Sequence, residues 1–396
     1  MGRACSSSAP GSRLQRSRKI LCISVLGLAL VPGPARGSLV RAGLSQAGRS
    51  LIATIRTSRT APLRRLEPLP NPGAADSAYL CVELQRRRGG GRRRLCAGGA
   101  DAHRRIGLEL VNAAGQTTAK KMVAATVRRP SAGKLVMALA PGAAGLSPHR
   151  YRWRVLSSGG NCGEPPRQCE ETLPARGSRT FRLRPVRAVG CTGGGPALDT
   201  NGPRDRRVVA LTFDDGPSAY TPEFLDVLRS KHADATFFEV GQEMPGREET
   251  MRRILREGSE IGNHTMHHTA FPDYAEIAGA SSLVESATHF RPCLFRPPDG
   301  AVDSAVIETA AGLGMRTVTW DVDPSDWSNP GSGAVYGRVV EAVQPGSIVV
   351  MHDGGGDRGD TLAALPSIID TLRGRGYRFA TVSELLGDKL LYRPYG

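Results

Sequence analysis

Short apolar runs alternate with longer amphipathic stretches along the second half of this chain. The runs typical of buried strands are Val208–Phe213, Ala235–Val240, Glu260–Gly262, Leu294–Arg296, Arg316–Trp320, Ser347–Met351 and Arg378–Val382. The stretches with helical spacing are Pro222–Lys231, Arg247–Glu257, Ala275–His289, Ser304–Leu313, Ala334–Val343 and Leu362–Arg373. This alternation predicts a parallel sheet with helical crossovers. About seven strands within residues 201–396 predict a reduced (β/α) barrel, which places its chemistry where the strands end.

Residues 76–190 show a different pattern, in which short apolar or alternating runs are separated by Gly- and Pro-rich turns. These runs are Tyr79–Val82, Ile106–Val111, Lys134–Ala138, Tyr151–Leu156 and Thr180–Leu183. They predict a small all-β, sandwich-like domain, and its function is unknown because it contains no catalytic constellation. Residues 38–75 are rich in Arg, Ser, Pro and Gly without clear periodicity, which predicts a linker.

The first 37 residues have the features of a signal peptide. Four basic residues between positions 13 and 19 precede an apolar run at 20–31, and Ala35–Gly37 resembles a cleavage site. The run is shorter than the roughly 20 residues that a membrane span needs. We therefore expect a secreted protein, extracellular or associated with the cell wall. An uncleaved anchor is the alternative, and no other segment is apolar enough to span a membrane.

The charge is divided unequally between the two halves of the chain. Residues 1–200 hold 34 Lys and Arg against nine Asp and Glu, whereas residues 201–396 hold 19 against 28. A basic surface favours anionic partners, so an anionic cell-wall polymer is a candidate partner of the N-terminal domain. Arg86–Arg88 and Arg92–Arg94 flank three glycines and predict an exposed basic hairpin tip. Simple solvation of these arginines is the alternative, and no nucleic-acid-binding motif accompanies them.

Six cysteines remain outside the predicted signal peptide. An even number in an exported chain favours disulfides. The pairs expected here are Cys81–Cys96, Cys162–Cys169 and Cys191–Cys293, although other pairings are open. A cysteine-bound zinc ion is the alternative, but the chain has no C-x-x-C pair.

Two adjacent carboxylates, Asp214 and Asp215, end the first predicted strand of the barrel. Neighbouring carboxylates repel each other, so a cation beside them would stabilise them. An ordinary acidic turn is the alternative, because Asp and Gly favour turns.

Three histidines follow the third predicted strand of the barrel. His264 and His268 are four residues apart, which can place both imidazoles on one side of a helical turn, whereas His267 would point away. Histidine is the commonest metal ligand among side chains. Two imidazoles and one carboxylate form an open site that leaves room for water and substrate.

Polar residues also end the next three predicted strands. Arg296 could hold a carboxylate, and the Asp326–Trp327 pair suits sugar recognition. His352 directly follows a buried strand and is well placed as a general acid. Each has a structural alternative, namely a surface arginine, a polar loop with a packing tryptophan, and a capping histidine.

These motifs, in this order from Val208 to Leu386, resemble the polysaccharide deacetylases of carbohydrate esterase family 4. The resemblance implies a (β/α) barrel that hydrolyses N-acetyl groups of a glycan with a divalent metal. Zn²⁺ is the expected ion, and Co²⁺ or another divalent ion is an alternative. The positions that the resemblance assigns to the metal are Asp215, His264 and His268.

The same resemblance assigns the catalytic positions. It implies Asp214 as the base, His352 as the general acid, Arg296 as the residue that orients the base and Asp326 as the acid that tunes the histidine. The positions implied for substrate binding are Asp299, Trp327 and Val350.

Two of these positions depart from the family pattern. Asp299 stands where the family often has Tyr, so a carboxylate is added near the oxyanion site. Val350 replaces a Leu that lines the acetyl pocket.

Several functions remain open at this level. Peptidoglycan is the first choice of substrate and chitin-like oligomers the second, with an acetyl-xylan esterase as a further alternative. A non-catalytic wall-glycan-binding protein that retains the fold would keep the same motifs. A non-haem iron oxygenase also uses two histidines and one carboxylate, but it would leave Asp214, Arg296 and His352 without roles. A cyclic amidase on a related barrel is the last alternative.

Overall fold

The computed structural model describes residues 39–58, 66, 68–69, 78–87, 91–98, 105–159, 170–193 and 198–394. Within these ranges the chain forms an all-β region followed by a parallel α/β barrel, which confirms the predicted fold class. The predicted signal peptide at 1–37 lies outside the described residues. None of the helices in the described part of the chain is long and apolar enough to cross a membrane.

The all-β region has two antiparallel sheets that share one apolar core. Its strands, and the one that follows it, are β1 (Leu39–Ala47), β2 (Ser50–Thr57), β3 (Ala78–Arg86), β4 (Arg92–Ala97), β5 (Arg105–Val111), β6 (Thr117–Ala124), β7 (Thr126–Ser131), β8 (Lys134–Leu139), β9 (Arg150–Gly159), β10 (Glu170–Leu173), β11 (Arg179–Arg182) and β12 (Val186–Cys191). The first sheet has the order β1-β2-β8-β7 and the second β10-β9-β3-β4-β5-β6, with β11 beside β9. Alternate side chains of both sheets meet in the core, as in a β-sandwich.

The linker prediction for residues 38–75 is wrong for its first part, because β1 and β2 form a hairpin of the first sheet. Leu51, Ala53 and Ile55 are buried at every second position of β2, which is the period of a half-buried strand. Only Ala42 is fully buried in β1, so the alternation of that strand is weak and the Arg- and Ser-rich composition hid the hairpin.

The predicted exposed basic hairpin tip is also wrong in part. Arg92 to Arg94 belong to β4 and are half-buried, because β4 pairs along its length with β3 and β5.

The barrel alternates strands and helices at nearly the predicted positions. Its strands, and the one that ends the chain, are β13 (Leu198–Asp199), β14 (Val208–Gly216), β15 (Thr236–Glu239), β16 (Glu260–Asn263), β17 (Leu294–Phe295), β18 (Arg316–Val318), β19 (Ile348–His352), β20 (Arg378–Phe379) and β21 (Leu390–Pro394). Its helices are α1 (Thr221–Lys231), α2 (Glu248–Glu257), α3 (Tyr274–Thr288), α4 (Ser304–Gly312), α5 (Ser332–Ala342), α6 (Gly359–Gly374) and α7 (Val382–Leu386).

The parallel sheet of the barrel closes through the segment that follows β18. The strand order is β13-β18-β17-β16-β15-β14-β19, with β20 beside β14. Val322 then pairs with Val349 of β19, and the Val350 amide donates to the Val322 carbonyl at 3.0 Å. Because all these strands are parallel, their carboxyl ends lie at one end of the barrel, where Asp214 and His352 are directly paired.

Backbone pairing and a disulfide attach β12, the strand between the two regions, to the barrel. β12 pairs with β21 in an antiparallel ribbon, and the Cys191–Cys293 disulfide links the end of β12 to the residue before β17. The Cys81–Cys96 disulfide connects opposite positions of β3 and β4. Both predicted pairs are therefore confirmed, whereas the predicted Cys162–Cys169 pair lies outside the described residues.

Candidate active site

A bulge at the end of β14 allows two adjacent aspartates to serve one site. Successive side chains of a regular strand point to opposite faces. At Asp215 the backbone takes φ = 70°, and the pairing with β15 shifts register between Asp214 and Gly216. Such bulges re-aim side chains next to active sites. Asp214 continues the interior row of β14, and the bulge directs Asp215 to the histidines beyond it.

The two candidate metal histidines lie in a loop and not on the helical turn that their spacing suggested. Thr265 and His268 have φ of 67° and 57°. Glu276 holds this loop from α3 by accepting hydrogen bonds from the Met266 and His267 amides. His267 itself points away and contacts Glu276 at 2.8 Å, as expected for a residue that is not a ligand.

Asp215, His264 and His268 converge on one point. Their donor atoms lie within 4.8 Å of one another, and Asp215 Oδ1 is 3.1 Å from His268 Nε2 and 3.5 Å from His264 Nε2. Burial alone would raise the pKa of Asp215, but the two imidazoles hold that pKa well below its usual range.

This set of donors fits a divalent transition metal. Asp215 Oδ1 is buried and has no hydrogen-bond partner among the described residues, although two imidazole nitrogens face it. His264 Nδ1 lies 2.7 Å from the Arg296 carbonyl, which fixes the tautomer that leaves Nε2 free to ligate. Two imidazoles and one carboxylate leave coordination positions open.

Arg296 holds Asp214 from inside the barrel. It is fully buried, and its Nη1 donates to Asp214 Oδ1 and to Thr212 Oγ1, each at 2.7 Å. Burial lowers the pKa of Arg296 although the Asp214 charge opposes this. The rings of Phe238 and Trp320 lie 4.0 and 5.5 Å from its guanidinium, so its geometry is set on every side.

His352 is held by Asp326 at the end of β19. Asp326 Oδ1 lies 2.8 Å from His352 Nδ1, while Oδ2 accepts from the His352 amide at 2.9 Å and from Thr361 Oγ1 at 2.8 Å. Burial disfavours the imidazolium, but the Asp326 hydrogen bond and the Asp214 charge outweigh it, so the pKa of His352 is raised. Such a histidine can hold a proton and release it.

The three residues expected to bind substrate take different positions. Val350 is buried in β19, two residues before His352 on the same interior row. Trp327 follows Asp326 directly and is 58% exposed. Asp299 is exposed in a single turn after Arg296 and has φ = 58°.

Several supporting residues gave no sequence signal. Thr361 reaches Asp326 from 35 positions away, and the Asn263 amide group connects the start of the histidine loop to α3. Glu239 and Asp353 are fully buried carboxylates behind Gly216, where an added Cβ would lie 2.8 Å from oxygens of both. Only the pairing of distant strands brings these groups together.

Comparisons with known proteins find similarity to polysaccharide deacetylases. A profile described as polysaccharide deacetylase matches residues 201–318. A peptidoglycan-N-acetylglucosamine deacetylase of Bacillus cereus is 43% identical over 195 residues, which are 47% of this chain and 92% of that protein. A chitooligosaccharide deacetylase of Bradyrhizobium sp. is 36% identical over 201 residues, 45% of this chain and 90% of that protein.

Among solved structures, a peptidoglycan N-acetylglucosamine deacetylase with a bound N-hydroxybenzamide has a TM-score of 0.46 and 31% identity, over 48% of this chain and 92% of that one. The length and identity of the matches to curated proteins settle the classification, and this chain belongs to the polysaccharide deacetylase family.

Proposed function

We propose that the barrel removes N-acetyl groups from a glycan by hydrolysis, with peptidoglycan as the first choice of substrate and chitin-like oligomers as the second. One observation carries this proposal. A carboxylate outside the metal-ligand set, Asp214, is held by buried Arg296 beside the Asp215–His264–His268 cluster and is paired across the sheet with His352. Both curated relatives named above are deacetylases of acetylated amino sugars by their names.

A divalent ion at Asp215, His264 and His268, which we propose to be Zn²⁺, would supply Lewis-acid polarisation of the acetamide carbonyl and acidify bound water. Asp214 uses one oxygen to hold Arg296, so its other oxygen is free to accept the proton of the attacking water. The Arg296 hydrogen bond fixes the orientation of this carboxylate.

His352 acts on the departing amine. Because its Nδ1 is engaged with Asp326, Nε2 is the nitrogen that can donate a proton to the leaving amino group. The C–N bond breaks as this proton is transferred, and the products are acetate and a free amino sugar.

The substrate-binding residues support a sugar ligand. The exposed Trp327 indole offers an apolar face to a pyranose ring. Val350 lies beneath His352 and can contact the acetyl methyl group. Asp299 adds an exposed carboxylate near the entrance to the site, and its charge would favour sugars with free hydroxyl or amino groups.

We further propose that the protein is secreted and acts at the cell wall, with the basic all-β region contacting an anionic wall polymer. The basic composition of residues 1–200 and the apolar segment at 20–31 support this proposal. In this proposal the all-β region attaches the protein to the wall, and the barrel carries out the reaction.

An acetate-release screen tests the proposed activity. Purified protein is incubated with peptidoglycan, chitin oligomers and acetyl-xylan, with and without a chelator. We expect chelator-sensitive acetate release, highest on an N-acetylated glycan. His268→Ala should abolish both tight metal binding and acetate release, whereas the same substitution at exposed His149 should change neither. Metal binding without acetate release from any polymer would favour the non-catalytic glycan-binding alternative, and preference for acetyl-xylan would make the enzyme an esterase.

A further inference from the structure

Three cations stand in one row across the outer face of the first β-sheet. Arg41 of β1 is directly opposite Arg56 of β2, which is directly opposite Lys134 of β8. The neighbouring Ala42, Ile55 and Leu135 are buried in the core, so alternation places the three cations on the other side of the sheet.

A fourth cation extends this cationic row. Arg128 of β7 is exposed and pairs with Val136, which lies two positions from Lys134 on the same face. Within the described ranges, no carboxylate forms an ion pair with any of these four side chains. Like charges directly opposite each other destabilise a sheet. This arrangement therefore lowers the stability of the first sheet, and no ion pair among the described residues offsets that loss.

Charges in one part of the second sheet have the opposite arrangement. One row of its outer face runs through Lys120, Glu109, Arg94, Glu83 and Arg154, with signs that alternate from strand to strand. Their ion pairs span 2.9 to 3.8 Å. This row of the second sheet thus pairs each of its cations with a carboxylate, whereas the cationic row of the first sheet has no carboxylate paired with it among the described residues.

The cationic row borders a cavity that could hold a ligand. A cavity of about 280 Å³ is lined by Arg41, Gly43, Thr54, Arg56 and Lys134. Gly43 has no atom within 4 Å of the position of an added Cβ. Among the described residues, nothing fills the space directly above Gly43, so a polymer chain can pass across the sheet at that point.

We propose that the cationic row binds a linear polymer that carries a phosphodiester in each repeat. This inference rests on the proposed location at the cell wall. A guanidinium presents a fork of donors that matches phosphate oxygens. Two opposed arginines on adjacent strands, about 5 Å apart at Cα, can each face one free oxygen of a tetrahedral phosphodiester.

The surface does not suit single-stranded nucleic acid, which is held largely by stacking of bases on aromatic side chains. The exposed large aromatic side chains of the described residues are Phe271, Tyr274 and Trp327, all in the barrel. The described part of the all-β region therefore offers charge without a stacking platform.

Equilibrium binding of labelled poly(glycerol phosphate) to the full-length protein tests the proposal. Substitution of Arg41, Arg56 and Lys134 by Gln in one variant should weaken binding roughly tenfold to a hundredfold, since each exposed ion pair contributes modestly. The dependence of affinity on salt should also become shallower. Thr54→Glu is a second variant, which adds a carboxylate to the cavity and removes no cation, and it should weaken binding as well.

The matched control removes three exposed arginines from the outer face of the second sheet. These residues, which have no ion pair among the described side chains, are Arg150, Arg152 and Arg182. Their replacement by Gln changes the net charge equally and should alter affinity less than about twofold. Equal weakening by both triple variants would show that net charge alone governs binding and would overturn the proposal.

Two further polymers define the ligand. Polygalacturonate supplies carboxylates and oligothymidylate supplies phosphodiesters with bases, each matched in number of charges. Equal or tighter binding of either one at the cationic row would show that the row does not select a phosphodiester wall polymer. Acetate release is measured in parallel. Catalysis without polymer binding would refute only this inference, and polymer binding without catalysis would refute only the proposed function.

Discussion

Glu83 in the all-β region and the pair Glu239 and Asp353 in the barrel are buried carboxylates with opposite surroundings. Glu83 of the sandwich is 5% exposed and is surrounded by Arg92, Arg94 and Arg154. Burial opposes its ionisation, but the hydrogen bonds and charges of the arginines prevail and lower its pKa. Glu239 and Asp353 of the barrel are fully buried without such a partner, and burial raises the pKa of Glu239 well above its usual value and that of Asp353 to about 7.

This difference separates charges that support the fold from charges that support a reaction. Buried charges that are paired with opposite charges need no further partner. Unpaired buried charges raise the free energy of the folded state and are typical of functional sites. Glu239 and Asp353 lie at the carboxyl ends of β15 and β19, beside Asp214, Asp215 and His352, whereas the buried carboxylate Glu260 lies at the amino end of β16. The four predictions that follow test this contrast.

Asp214→Asn should give the largest effect. The amide keeps the size of the side chain and can still accept from Arg296, but it cannot accept a proton from water. We expect acetate release to fall about 10²- to 10⁴-fold, the contribution of a general base, with metal content unchanged in a protein that still folds. Thermal stability should fall, because the variant leaves the buried Arg296 charge without its partner. Asp205→Asn, at an exposed carboxylate, is the control. Turnover near that of the original protein would rule out Asp214 as the base.

Glu260→Gln should change how the stability of the barrel depends on pH. Burial raises the pKa of Glu260 to about 7, although hydrogen bonds from Ser383 partly oppose this. A raised folded-state pKa means that the stabilisation is complete below pH 4.5 and is lost as pH rises through about 7. The loss amounts to about 3 kcal/mol. Urea unfolding at pH 5 and pH 8.5 should show a smaller difference in the variant, and an unchanged difference would contradict the assignment.

Glu83→Gln should destabilise the compensated network of the sandwich. Its removal leaves Arg154 without a carboxylate among the described residues and Arg94 with only the longer contact to Glu109 at 3.8 Å. The cost should be about 2 kcal/mol, since loss of one partner of a buried pair is expensive. Urea unfolding at pH 7 measures the change. Exposed Glu285→Gln is the control and should stay within about 0.5 kcal/mol. An equally small effect at Glu83 would mean that the arginines do not depend on it.

Asp326→Asn should produce the smallest shift, in the position of the alkaline limb of activity. A general acid must be protonated, so acetate release declines as pH rises through the raised pKa of His352. Loss of the Asp326 charge removes the main group that raises this pKa, and the limb should move to lower pH. Asp323→Asn, at an exposed neighbour, should leave the limb in place. A limb unmoved by Asp326→Asn would mean that His352 is not the titrating acid.

The barrel was more predictable than the sandwich for a physical reason. Each parallel strand of the barrel is buried on both faces and therefore appears in the sequence as an apolar run. Each helix shows apolar residues at helical spacing. Local sequence therefore predicted nearly every element of the barrel. In the sandwich, strands such as β1 and β4 contain many polar residues, and only pairing with neighbouring strands makes them strands. Local composition therefore suggested a linker and an exposed basic tip where the structure has strands.

The sequence by itself determined which chemical groups stand at the strand ends of the barrel, among them Asp214, the candidate metal histidines and His352. It also suggested the two disulfide pairs that the structure describes, although it left other pairings open. Only the tertiary structure decided the bulge that brings Asp215 to the histidines, the bond of Arg296 to a carboxylate 82 positions away, and the alignment of Arg41, Arg56 and Lys134 in one row. The reason is that strand register and chain crossing act between distant segments, and no local pattern of residues specifies which of them will meet.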